Sequence, residues 1–118
     1  MFKQGRRPAL LVAPKDLGRF HALLTRAGYE VHTGPRFERK GEVGAWTTEL
    51  EGGRHVHVQE VLRTDRKGRP MIAVYAHTEA ASGFAHLLSA LTDGHSFAAG
   101  SRKLRRDLRT YGWRVREP

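Results

Sequence analysis

The sequence predicts an α+β domain, a mainly antiparallel sheet with its helices packed on one face, in the order β-α-β-β-β-β-α-α-β. Three observations lead there. The chain opens with an apolar strand, an amphipathic helix and a second alternating strand; three extended segments follow with short turn-forming breaks; and two amphipathic helices come near the end. With 118 residues, 39% of them hydrophobic, a single domain spanning 1–118 can bury an ordinary core without disulfides or metals.

The elements follow in order. Ala9 to Ala13 is a short apolar run ending at Pro14, read as a buried strand before a helix whose first turn holds the proline. Leu17, Phe20, Leu24 and Ala27 recur at helical spacing up to Gly28, a C-cap, and Tyr29, Val31 and Thr33 then alternate. Gly34 to Gly41 is a polar, basic segment expected to be a mobile loop. Val43 to Leu50, His55 to Arg63 and Met71 to His77 form an antiparallel meander. Between the last two, Asp65-Arg66-Lys67-Gly68 suits a type I turn with Gly68 left-handed, which sets His57 opposite His77. Phe84, Leu87, Leu88 and Leu91 mark one helix, and Leu104, Leu108 and Tyr111 the next. Gly112 caps it, and Trp113 and Val115 suggest a terminal strand.

Two echoes run through the chain. Ala9, Phe20, Leu23 and Leu24 recur 64 residues later as Ala73, Phe84, Leu87 and Leu88, and Gly28-Tyr29-x-Val31 recurs as Gly112-Trp113-x-Val115. Two strand-helix units obeying the same packing rules account for them without duplication, which is the lesser alternative.

Charge narrows the function. Lys and Arg number 21 against 12 Asp and Glu, a net charge of +9 and a pI of about 10.8. Such a domain attracts polyanions, and nucleic acid is the expected partner, DNA favoured over RNA. No apolar run is long enough for a membrane span and no export signal precedes the first strand, so a cytoplasmic location is expected. The absence of cysteine excludes thiol nucleophiles and thiolate zinc sites. No phosphate-binding loop, dinucleotide fingerprint or nucleophile elbow occurs, and no organic cofactor is expected.

The charge is concentrated. Residues 101–118 hold seven positive and two negative side chains, +5 of the +9. On a helix, Leu108 and Tyr111 lie within about 40° of Leu104, while Arg109, Arg102 and Arg106 fall about 140–200° away. The leucines would dock the helix and the arginines would meet phosphates, with Lys103 and Arg105 flanking them. An ordinary solvated helix face is the bland alternative.

The second distinctive feature is Arg54-His55-Val56-His57-Val58. His55 and His57 project from one face of a strand, and register parity adds Tyr75 and His77. Three imidazoles there can take a divalent metal, the one cofactor the sequence admits. Without metal, the same rings together with Trp46 would stack bases of single strands, with Arg54, Arg63, Arg66 and Arg69 on phosphates. His55-Val56-His57, with Gln59 and the upstream Glu49 and Glu51, resembles the core motif of the HUH endonucleases, the rolling-circle replication and transposition nucleases. That resemblance implies a metal held by His55 and His57 and a tyrosine nucleophile on a later helix, for which Tyr111 is the positional candidate. An enzyme, on this reading, would be a metal-dependent nuclease or transesterase; otherwise no catalytic residue is assigned. A third class, a regulatory module for an acidic protein partner, needs only the charge. An exposed sheet edge would allow a homodimer.

Overall fold

The computed structural model describes residues 7–34, 38–80 and 97–116. Five strands, β1 (Leu10–Val12), β2 (Glu30–Val31), β3 (Glu42–Leu50), β4 (Arg54–Thr64) and β5 (Pro70–Ala80), form one sheet in the order β1-β5-β4-β3-β2, every pair antiparallel. Two helices are described with it, α1 (Leu17–Arg26) and α2 (Phe97–Thr110), giving an α+β fold. The expected helix around Phe84 to Leu91, and most of the 64-residue echo with it, lies outside the described residues. So does part of the loop after Gly34.

Alternation decides what each face carries. Val56 and Val58 of β4 align with Thr48 and Trp46 of β3 and with Thr78 and Ala76 of β5, and Leu10 and Val12 extend the set through Val74 and Ile72. Phe20, Leu23 and Leu24 of α1 and Leu104 and Leu108 of α2 close over this face, making one core with Tyr29 and Trp113. Its helix cover makes this the inner face; the opposite one carries the histidines. There Val61, Ala73, Tyr75 and Leu11 form a small second cluster.

The turns behave as their residues dictate. Gly28 and Gly112 both take positive φ, +91° and +88°, beyond the helix ends. In each case the next residue's N–H reaches back five residues, Tyr29 to the Leu24 carbonyl and Trp113 to the Leu108 carbonyl, both at 2.9 Å. The Gly-aromatic echo is therefore the same cap made twice, burying Tyr29 and Trp113 beside the core. The Asp65–Gly68 turn holds Gly68 at φ +78° and sets His57 opposite His77. After Trp113 no strand is formed among the described residues, but Leu11 N–H donates to the Arg116 carbonyl at 2.8 Å.

β1 is too short to flank all of β5, and α2 uses the space. A Cβ at Gly100 would lie 2.5 Å from Cα of His77, so only glycine lets the helix rest on the strand backbone there. Phe97, one turn earlier, packs its ring 5.4 Å from the His77 imidazole. None of the described helices is long and apolar enough to cross a membrane.

Candidate functional site

The outer surface of the helices is built from arginines. Arg19 and Arg26 of α1, Arg102, Arg106 and Arg109 of α2, and Arg114 and Arg116 beyond it are all exposed. The Arg19 guanidinium lies 4.5 Å from the Trp113 ring centre and that of Arg26 lies 5.6 Å from Tyr111, joining the cations of α1 to the end of α2. Asp107, the acid within α2, is turned inward: it accepts from the Tyr29 hydroxyl at 2.8 Å and from Lys103 Nζ at 2.7 Å. Burial and the bond to Asp107 push the Tyr29 hydroxyl far above its ordinary pKa, so it remains a donor.

The predicted helix cations therefore divide. Arg102, Arg106 and Arg109 face outward, as the helical spacing requires. Lys103 is paired with Asp107, and Arg105 donates to the Ala9 carbonyl at 3.1 Å, tying α2 to the start of β1. Of the strand cations, Arg54 is exposed and donates to Thr78 Oγ1 at 3.0 Å, Arg66 is exposed on the β4–β5 turn, and Arg69 pairs with Asp65 at 2.8 Å.

On the other side of the sheet the histidines do assemble. His57 and His77 are cross-strand neighbours with rings stacked 5.5 Å apart, and His55 lies 5.7 Å from His57. His32 joins them, its ring 5.0 Å from His57. Glu79 ties the group together, accepting from His57 Nε2 at 2.7 Å and from His77 Nε2 at 3.3 Å. Burial alone would raise the Glu79 carboxyl, but the bonds and charges of the two histidines outweigh it and hold it well below the usual carboxylate range. Three residues, Glu51–Gly53, link β3 to β4, so Glu49 stands opposite His55 on this same face.

Several expectations for this face are corrected. Among the described residues no group of three or more His, Asp or Glu side chains is arranged to hold a metal ion, and the Nε2 atoms of His57 and His77 are directed to Glu79. Trp46 pairs with Val58 and so belongs to the inner face, away from the histidines. Tyr75 does lie on the histidine side, but it is buried and the Arg39 guanidinium covers its ring at 3.9 Å. It offers no open face for a base. Arg39 also donates to Gln59 at 3.0 Å, and Gln59 to Glu42 at 2.7 Å; a bulge at Val43 brings Glu42 to this side. Tyr111 sits at the end of α2 against Arg26, on the helix side of the sheet, so this positional candidate is not brought together with His55 and His57.

One polar centre escaped the sequence reading. Glu60 is 1% exposed on the inner face, accepting from Trp46 Nε1 at 3.1 Å and from His21 Nε2 at 2.6 Å. Gly44, opposite Glu60 in the register, leaves the space its carboxylate occupies. His21 is the 35%-exposed end of this chain. Parity was the available signal: Glu60 shares its face with Val56 and Val58, and His21 lies between Leu17 and Leu24 on the apolar side of α1.

No protein-family model, curated protein or solved structure matches the chain.

Proposed function

We propose that this domain is a cytoplasmic nucleic-acid-binding protein, DNA favoured over RNA, which meets phosphates with the arginine surface of α1 and α2. The observation that carries the reading is that Arg19 and Arg26 of α1 reach the aromatic residues following α2, while Asp107 is withdrawn into Tyr29 and Lys103. Guanidiniums about one turn apart on a docked helix suit successive phosphate oxygens. The exposed Tyr111 beneath Arg26 adds an aromatic edge to the cationic surface.

The test compares DNA and RNA with heparin, for the wild type and for Arg102→Gln/Arg106→Gln/Arg109→Gln. Tighter binding to DNA, lost in the triple variant, is expected. Equal affinity for heparin at matched charge would point instead to a general polyanion or acidic-protein contact.

A further inference from the structure

The β4–β5 ladder runs on past both of its neighbours. β3 leaves it at Val61 and β1 at Ile72, whereas β4 and β5 remain paired to Thr64 and Pro70. Leu62 is still held from outside, pairing with Ile72 beside Val12 and donating its N–H to the Gly41 carbonyl at 2.9 Å. The two-stranded tip beyond it, Arg63 and Thr64 with Pro70 and Met71, therefore projects by two residues, roughly 7 Å at strand rise, before the turn.

Its side chains are cationic. Arg63, Arg66, Lys67 and Arg69 are exposed, and the lone acid, Asp65, is committed to the turn. The Asp65 carboxylate accepts from the backbone N–H groups of Lys67 at 2.8 Å and Arg69 at 2.9 Å, and from Arg69 Nε at 2.8 Å. Backbone bonds from Asp65 N–H to the Arg69 carbonyl and from Gly68 N–H to the Asp65 carbonyl close the loop. Arg63 is anchored at the base of the tip on the Lys40 carbonyl, 3.0 Å away. The turn is thus held in shape by its own polar groups while Arg66 and Lys67 stand exposed on it.

Resting on the nucleic-acid reading above, we propose that this tip enters the major groove of duplex DNA, with Arg66 and Lys67 leading. The fit is one of size and charge. A two-stranded ribbon is admitted by a groove about 12 Å wide and 8.5 Å deep, deep enough to take the overhang. The major groove of A-form RNA is too narrow for it. Single strands, which would need an open stacking surface, find none at Tyr75 under Arg39.

Dimethyl sulfate footprinting tests this directly, since the reagent methylates guanine N7 in the major groove. Wild type should shield guanine N7 in a short duplex, and Arg66→Gln/Lys67→Gln should lose the shielding and about tenfold of duplex affinity at low salt. That variant should keep the wild-type melting temperature and single-strand affinity, and Arg66→Lys/Lys67→Arg should restore binding. Duplex binding without N7 shielding, or a tip variant that binds as wild type, overturns groove entry and leaves the helix surface standing. A wild type that binds no nucleic acid overturns both.

Discussion

Glu60 shows how a single side chain can couple distant parts of this fold. A carboxylate 1% exposed beneath a helix is costly unless it is compensated, and here Trp46 and His21 provide the hydrogen bonds. His21→Ala should therefore cost about 1–3 kcal/mol in urea unfolding, and adding Glu60→Gln should recover part of the loss by removing the stranded charge. Strictly additive effects would show that the two are not partners. At Glu79 the prediction concerns pH. Its carboxyl is lowered in the folded state, so its contribution to stability is present above the unfolded value of about 4.3 and fades as pH falls towards the folded one. Glu79→Gln should flatten the acid limb of the stability curve; an unchanged acid limb would contradict the His57–Glu79–His77 bridge.

The elements obey rules that adjacent residues reveal and long-range packing completes. Gly100 and Gly18 both lie in helices, but a Cβ at Gly18 meets nothing within 4 Å whereas one at Gly100 strikes the His77 backbone. Gly18→Ala should stabilise by up to about 1 kcal/mol, and Gly100→Ala should destabilise by about 1–3 kcal/mol, measured by thermal unfolding. Equal effects would mean that α2 does not rest on β5. Periodicity made α1, the meander and the arginine face of α2 legible, and the Asp65–Gly68 turn fixed the His57–His77 register. Strand order, the helix-strand contact at Gly100 and the Glu60–His21 bond were less accessible. They join residues far apart in the chain, whose meeting depends on how the helices lie across the sheet. Trp46 and Tyr75 illustrate the limit: both read as aromatic strand residues, and only the β3–β4 register puts them on opposite faces.

At the scale of the whole molecule, the charges of the described residues are unevenly placed. Exposed arginines crowd the helix layer and the β4–β5 tip, while Glu49 and Glu79 lie on the histidine side and Asp107 and Glu60 are engaged inside. Binding at the helix layer would displace counterions from nucleic acid, and that number is measurable. The decisive measurement is the affinity for duplex DNA across a salt series, for wild type and for Arg102→Gln/Arg106→Gln/Arg109→Gln. A linear fall of log K with log salt is expected, its slope reduced by about 2–3 in the variant, close to one counterion for each arginine removed. Identical slopes for the two proteins would contradict the assignment of this surface to nucleic acid.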